Sequence, residues 1–343
     1  MKILYGASLL PYNTFGVEAV ADCIVRYSSV DDLAEASSML SAGKLPEPFL
    51  FVGQGSNILF CRDFHGTVLH SEIDTLETVS GDQEDTVLVR AGSGRIWDDF
   101  VAFCVANGWY GAENLSAIPG QVGAAAVQNI GAYGSEAGDI IYQVETFDMN
   151  SGQTGRLSSV QCRYSYRDSV FKHQGHRSEA VTHVTFRLSA SKALNISYRA
   201  LAEALSGRDT GSLDAADIRK AVISIRSSKL PDPSVTGSAG SFFMNPVVSR
   251  DKLDGLKARY PEIPYYPASC GELYKLSAGW LIDKAGWKGR SLGRAGVYEK
   301  QALVLVNLGG ATGEDIYSLS QAVSSDVAGK FGIELRPEVR IIR

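Results

Sequence analysis

The chain has 343 residues, a formal net charge of −5, and 21% charged against 45% apolar residues. That length exceeds one ordinary core and predicts two or three domains, and the balance excludes a disordered chain, a fibre and a coiled coil. The acidic balance without a Lys/Arg cluster argues against a nucleic-acid or anionic-membrane surface, and no uninterrupted run of about 18 apolar residues predicts a transmembrane helix.

At the start, Met1-Lys2-Ile3-Leu4-Tyr5 carries one basic residue, Pro11 breaks the apolar stretch, and no small-residue cleavage site follows. A secretory leader is not expected. Cys23, Cys61, Cys104, Cys162 and Cys270 are odd in number, widely spread and without a C-x-x-C pair. They read as buried thiols in a reducing cytoplasm rather than as a disulfide framework or zinc site. The five histidines show no metal-ligand spacing.

From Pro48 to Ala190 the pattern is short strands with interposed helices. Phe49-Leu50-Phe51-Val52 and Ile58-Leu59-Phe60 flank a glycine turn, and Thr86-Val87-Leu88-Val89-Arg90 runs into Gly92-Ser93-Gly94. Residues 96–107 read as a helix, with Trp97, Phe100, Val101, Cys104 and Val105 at helical spacing and Gly108 as its stop. Val184, Phe186 and Leu188 alternate as a strand. The pattern changes after 190, which places a boundary there: a larger domain over 1–190 in two subdomains, a smaller one over 191–335, and a C-terminal segment over 336–343.

Past that boundary, residues 214–228 read as a helix with Ile218, Val222 and Ile225 on one face. The break Lys229-Leu230-Pro231-Asp232-Pro233 ends it. Residues 275–285 read as a second helix and Ala302-Leu303-Val304-Leu305-Val306 as a buried strand. The last helix begins near Thr312 with Asp315 as a capping-box partner, and turns Ile316, Leu319, Val323 and Val327 inward. The fold class is α+β.

Glycine is in surplus, 35 of 343 residues, about 10% against a typical ~7%. In Gly53-Gln54-Gly55-Ser56-Asn57 the backbone amides can approach a phosphate closely; a plain hairpin is the alternative. It is no dinucleotide fingerprint, because Ile58 stands in place of the third glycine and no helix follows. Gly92-Ser93-Gly94 is equally weak alone. Residues 118–134 are dominated by small side chains, which let a backbone lie against something flat or polar, and Gln128 and Asn129 place amides among them. A tightly packed helical turn is the plain reading there; a cofactor bed is favoured.

Taken in order, these segments resemble the UDP-N-acetylenolpyruvoylglucosamine reductase family, in its longer subclass. The resemblance is carried by Asn13-Thr14-Phe15, residues 53–57, residues 113–134 and Tyr166-Arg167-Asp168-Ser169-Val170-Phe171-Lys172. It continues through residues 229–233, 237–246, 275–289 and 301–307 to Pro337-Glu338-Val339. It implies non-covalent FAD in an α+β domain of the vanillyl-alcohol-oxidase (PCMH) type with a smaller α+β substrate domain. By the resemblance Gly53, Gly55, Ser56, Asn57, Ile118, Pro119, Gly120, Gly123, Ala124, Gln128, Asn129, Gly131, Ala132, Tyr133 and Gly134 line the FAD. No histidine falls in these blocks for a covalent link to flavin, and no metal is implied.

The resemblance also implies that NADPH reduces the FAD, which passes a hydride to the enolpyruvyl ether, while the protein supplies cation, dipoles and proton. Three positions match the catalytic set. Arg167 can fork onto a carboxylate or its enolate. Ser241 can give a proton to a very basic carbon. Glu338, if its pKa is raised, can make the developing charge tolerable. Read bare, they are a surface ion-pair residue, a capping hydroxyl and a C-terminal surface carboxylate.

Tyr166, Tyr198, Lys229, Asn245 and Gln301 match substrate positions, with Tyr198 on a loop that folds over the sugar nucleotide. Lys229 lies three residues from Arg226 near a helix C-terminus, where positive charge is favourable anyway. Met244 stands where a lysine is frequent, Tyr298 where a histidine is, and Gln54 interrupts a glycine run. The expected protein is a cytoplasmic monomer acting on a UDP-sugar with NADPH, and the chemistry belongs to peptidoglycan precursor synthesis. Two alternatives stay open: an FAD oxidase of the same fold acting on an alcohol or sugar, and a non-catalytic nucleotide-binding module.

Overall fold

A computed structural model describes residues 1–80, 85–268 and 271–343, so Cys270 lies outside the described residues. By packing the chain divides into two units. The first comprises Met1–Ala7, Ala21–Gln54 and His65–Ser228; the second comprises Ser8–Val20, Gly55–Phe64 and Lys229–Arg343. Residues 191–228, which follow the sequence boundary at 190, pack with the first unit.

The first unit holds two sheets. One is four-stranded, in the order Lys2–Ser8, Val20–Tyr27, Phe64–Ser71, Phe49–Phe51, and its last two strands pair in parallel. The helix Val30–Ser41 covers it, burying Leu33, Ala36, Ser37 and Leu40. Ser29 starts this helix by accepting the Asp32 N–H, and Asp31 and Asp32 sit where the helix dipole favours negative charge. The other sheet is five-stranded and antiparallel, in the order Gln153–Ser158, Ile141–Asp148, Glu179–Ser189, Thr86–Gly92, Leu76–Ser80. On it lies the helix Trp97–Ala106, close to the expected bounds, with Gly108 at φ +71° just past its end. Trp97, Phe100 and Phe186 form the aromatic centre of this core, the two phenylalanine centroids 4.4 Å apart. Val184, Phe186 and Leu188 all point inward as alternation predicts.

The second unit is built on an antiparallel sheet in the order Gly237–Ser241, Val304–Asn307, Ala295–Val297, Ser291–Leu292. A three-stranded sheet joins Val247–Ser249, Leu273–Leu276 and Tyr265–Pro267. A parallel pair joins Ile58–Phe60 to Arg340–Ile342. The helix Gly313–Phe331 carries the predicted capping box between Thr312 and Asp315, and Ile316, Leu319, Val323 and Val327 are fully buried.

Two expectations change. The helix predicted over 275–285 spans Ala278–Ala285, because Leu273–Leu276 is a strand, paired with the nearby Tyr265–Pro267 and the more distant Val247–Ser249. The strands flanking residues 53–57 do not make a hairpin: Phe49–Phe51 pairs with Phe64–Ser71, and Ile58–Phe60 with Arg340–Ile342. The loop is where the chain passes from the first unit to the second.

Cys23, Cys61, Cys104 and Cys162 are buried free thiols. Burial pushes each pKa up, for Cys61 and Cys162 to about 11. No helix among the described residues is long and apolar enough to cross a membrane.

Candidate active site

In the first unit the predicted cofactor segment is a tight turn of chain around the helix Val122–Gln128. A bridge between Ile96 and Gln121 aligns its start, where Gly120 N–H donates to Gln54 Oε1 at 2.8 Å. Gln121 is buried and donates to the Ser71 and Gly94 carbonyls. A Cβ at Gly123 would stand 2.7 Å from Ser93 Cβ, so only glycine lets helix and strand end approach this closely. Ile118, Ala124, Ala132 and Tyr133 stay half-exposed and Pro119 and Gly134 exposed, whereas Val122, Ala125 and Ala126 between them are buried. This thinly covered surface of small and apolar residues fits a flat ring system such as that of FAD.

Asn129 ends the helix in the left-handed conformation, at φ +45°. Its side chain is spent inside the protein: Nδ2 donates to Glu136 Oε2 and the Ser165 carbonyl, and Oδ1 accepts the Gly138 N–H, each at 2.8 Å. Sequence reasoning offered this amide to a cofactor; in the structure it organises the turn. Gln128 accepts from Lys172 Nζ at 3.2 Å.

The turn in turn anchors Arg167. Its Nη2 donates to the Gly131 carbonyl at 2.6 Å and its Nη1 to that of Asn129 at 3.3 Å, while Glu136 Oε1 lies 3.9 Å away. Arg167 itself sits at φ +56°, a conformation non-glycine residues rarely hold. Lys172 Nζ clamps its carbonyl at 2.7 Å, and the Tyr166 ring lies 5.3 Å beneath the guanidinium. The structure thus joins Tyr166 and Arg167 to Gln128, Asn129 and Gly131.

Tyr198 is near the same turn, with its ring edge-on to Tyr133 at 5.3 Å. Arg226, weighed above as a helix-end charge, instead reaches inward: its Nε donates to the Ala117 carbonyl at 3.1 Å, and it bonds the Tyr133 hydroxyl. Tyr133 has its pKa raised, by burial first of all. A cavity of about 340 Å³ in this unit, lined by His70, Glu72, Asp74, Arg95 and Gln121 among others, contains none of the predicted site residues.

The second unit collects another set. Gly55 lies against the Tyr12 and Asn13 backbone, where an added Cβ would stand 1.9 Å from the Tyr12 carbonyl oxygen, and its φ is +68°. Thr14 N–H donates to the Gly55 carbonyl at 3.2 Å, and Ser238 N–H to the Thr14 carbonyl at 2.9 Å, so three blocks of the sequence pattern meet. Glu338 N–H donates to the Phe242 carbonyl at 2.8 Å, and a bridge joins Phe243 to Pro337. Asn57 Nδ2 reaches the Glu338 carbonyl at 3.3 Å, and Arg340 N–H the Asn57 carbonyl at 3.0 Å. Asn57, Ser241 and Glu338 therefore stand on three adjacent stretches of backbone.

Asn245 and Gln301 gather at another point of this unit, the start of the helix Ala278–Ala285. Asn245 Oδ1 accepts the Ala278 N–H at 2.9 Å, and Gln301 Oε1 lies 3.1 Å from where a Cβ of Gly279 would be. Ser56 is half-buried and Lys229 exposed. The residues sequence reasoning missed are Asn114 and Asn195, buried and half-buried amides whose only signal in the sequence is a polar residue inside a patterned segment. Among the described residues no group of three or more His, Cys, Asp or Glu side chains is placed to hold a metal ion.

Residues 21–158 match the family described as an FAD binding domain. Among solved structures, a UDP-N-acetylenolpyruvylglucosamine reductase (MurB) from Thermus caldophilus shares the fold with a TM-score of 0.68 at 23% identity, covering 100% of this chain and 98% of that one. The 6-hydroxy-D-nicotine oxidase of Arthrobacter nicotinovorans shares it at a TM-score of 0.53 and 12% identity, over 97% and 86% of the two chains. Fold and domain match define the class, an α+β protein with an FAD-binding domain, as sequence reasoning expected.

The family is narrower. Residues 232–342 match the one described as UDP-N-acetylenolpyruvoylglucosamine reductase, C-terminal domain. The enzyme of that name from Bacteroides fragilis (strain YCH46) is 48% identical over 335 residues, 98% of each chain. Its counterpart from Porphyromonas gingivalis (strain ATCC 33277) is 46% identical over 350 residues, 100% of each. The chain belongs to the UDP-N-acetylenolpyruvoylglucosamine reductase family.

Proposed function

We infer that this chain is an NADPH-dependent, FAD-containing oxidoreductase that reduces UDP-N-acetylenolpyruvoylglucosamine to UDP-N-acetylmuramate, a step of peptidoglycan precursor synthesis. The observation that carries this is near-half identity spread over 98% of both chains. When bound, FAD supplies hydride transfer between NADPH and the enolpyruvyl ether.

The residues of this chain hold the substrate and manage charge and proton. Arg167, pinned on the Gly131 and Asn129 carbonyls, presents a permanent cation to the enolpyruvyl carboxylate and steadies the enolate that hydride addition creates. Ser241 delivers the proton to the carbon beside that carboxylate. Glu338, on the backbone bonded to Phe242, keeps the extra negative charge tolerable as a hydrogen-bonding acid. Tyr166, Tyr198, Lys229, Asn245 and Gln301 hold the sugar nucleotide. Gly53, Gly55, Ser56 and Asn57, with Ile118, Pro119, Gly120, Gly123, Ala124, Gln128, Asn129, Gly131, Ala132, Tyr133 and Gly134, hold FAD. For Asn129 the role is indirect, through the turn it caps.

The division of labour we propose gives FAD to residues 1–190, the sugar nucleotide to residues 191–335, and Glu338 to the segment 336–343. The matches at 21–158 and 232–342 support it. Four buried, free thiols support a reducing cytoplasm as the site of action, and we take the working form to be a monomer, which sedimentation of the purified protein checks.

One experiment tests the whole reading. Flavin absorbance is followed without oxygen while NADPH and then the enolpyruvyl substrate are added. NADPH bleaches the flavin and the substrate restores it. An oxidase of the same fold recovers its colour with oxygen and ignores the UDP-sugar, and a binding module does not oxidise NADPH; either result sinks the assignment.

A further inference from the structure

Residues 191–228 contain a small core of their own, in which Leu201, Leu205, Leu213, Ile218 and Val222 are buried and against which Tyr133, Leu194 and Ile196 pack. This segment is fastened to the rest of the first unit at two places. At one, Arg219 forks onto Asp98 at 2.6 and 2.8 Å, and Arg226 reaches the Ala117 carbonyl.

The second fastening is made by two asparagines. Asn114 is 1% exposed, and its Nδ2 donates to both the Tyr133 carbonyl at 2.9 Å and the Asn195 carbonyl at 2.8 Å. An amide has two such protons, and here each ties down a different segment. Asn195 completes the link. Its Nδ2 donates to the Gly134 carbonyl at 2.9 Å and to Ser135 Oγ at 3.3 Å, and its Oδ1 accepts from Ser197 Oγ at 2.7 Å. Tyr198 follows directly. Tyr198 is 48% exposed and meets the Tyr133 ring edge-on, and the polar ties lie just before it in the chain.

We propose that Asn114 and Asn195 are positioning residues that latch residues 194–198 onto the turn 131–135 and thereby set where Tyr198 stands for the sugar nucleotide. The proposal rests on the reading of Tyr198 as a substrate contact. Removing either amide takes away the side-chain donors to the Tyr133 and Asn195 carbonyls or to the Gly134 carbonyl, and the loop then samples positions in which Tyr198 is misplaced.

The test uses holoenzyme and takes Asn195 rather than the fully buried Asn114, so that folding is preserved. Trypsin reads the latch without substrate, because Arg199, one residue past Tyr198, has a side chain 91% exposed and is cut when the loop opens. Asn195→Ala speeds cleavage after Arg199 about tenfold, and raises the KM for the UDP-sugar about tenfold. The rate at which NADPH bleaches the flavin stays within about twofold, which a general loss of structure would not allow. Asn195→Asp keeps the acceptor for Ser197 but loses both donated bonds, and gives the same two changes.

Unchanged cleavage in Asn195→Ala, or wild-type behaviour of Asn195→Asp, overturns the latch. Faster cleavage with an unchanged KM overturns the positioning role. The route through Tyr198 is read in the double variant: adding Asn195→Ala to Tyr198→Ala raises KM no further, and an additive rise overturns that route. An unaltered KM in Tyr198→Ala alone is the failure of the substrate-contact reading, and it is visible separately from the proteolysis.

Discussion

Backbone hydrogen bonds place the stretches that carry Ser241 and Glu338. Glu338 N–H is bonded to the Phe242 carbonyl and the Glu338 carbonyl to Asn57, and truncating either side chain leaves these backbone bonds in place. Ser241→Ala is therefore expected to bind FAD and to be bleached by NADPH at the normal rate, while recovery on substrate slows by about 10²–10⁴-fold, the range of a lost general acid. Stopped-flow absorbance without oxygen measures both halves, and normal recovery removes Ser241 as proton donor. Glu338→Gln, whose amide can still donate, loses less than Glu338→Ala; equal losses in kcat count against a protonated carboxyl. Arg167→Lys keeps the charge but cannot span the Gly131 and Asn129 carbonyls as a fork. A fall in kcat of about 10²-fold follows from losing one preorganised charge donor, and steady-state turnover with NADPH measures it.

Local chemistry decided some elements and distant partners decided others. The helix Gly313–Phe331 was legible because its capping box and its stripe of Ile316, Leu319, Val323 and Val327 all lie within a few turns of one another. The helix Val30–Ser41 was not, because Ser37 occupies a core position and hydrogen-bonds the Met149 carbonyl at 2.7 Å, breaking the apolar stripe. Leu273–Leu276 reads as the start of a helix until Val247–Ser249 and Tyr265–Pro267 pair with it. At this scale Gly55→Ala forces a Cβ onto the Tyr12 carbonyl at a positive φ, costing roughly 3 kcal/mol or more, and the purified protein carries little FAD.

A pH dependence arises where the helix Ala215–Lys229 meets the helix Trp97–Ala106. Burial works to raise the Asp98 pKa, but the Arg219 fork, the Ala117 N–H at 2.5 Å and the charge of Arg226 outweigh it and hold the carboxyl below its usual range. A carboxyl with a depressed folded pKa stabilises the fold above its unfolded pKa of about 3.9, and that contribution is lost as pH falls through the folded value. Asp98→Asn is expected to cost about 1–2 kcal/mol at pH 7, less than a sealed pair because this one is partly open to water, and the difference from the parent shrinks below pH 4. Denaturant titrations at pH 7 and pH 3.5 measure it. A difference that is undiminished at the lower pH removes the ion pair as its cause.

For the whole molecule, FAD binds the native chain and not the unfolded one, so its removal lowers stability. At a hundredfold excess over its dissociation constant FAD adds about 2.7 kcal/mol, seen as a raised and concentration-dependent thermal midpoint; a midpoint indifferent to FAD contradicts the cofactor bed.

By itself the sequence determined the α+β class, the helix Trp97–Ala106 to within a residue at each end, the start and inward stripe of the helix Gly313–Phe331, and the ordered blocks that mark the family, since each rests on residues close together in the chain or on their order. Tertiary structure alone decided that residues 191–228 pack with the first unit and that residues 53–57 cross from one unit to the other. It also turned the Asn129 amide inward. It brought Asn114 to Asn195, 81 residues away, and Asn57 to Glu338, 281 away. Those contacts depend on which distant strands and carbonyls come within hydrogen-bond reach once the sheets close, and a polar residue's partner across such a span leaves no periodicity to read.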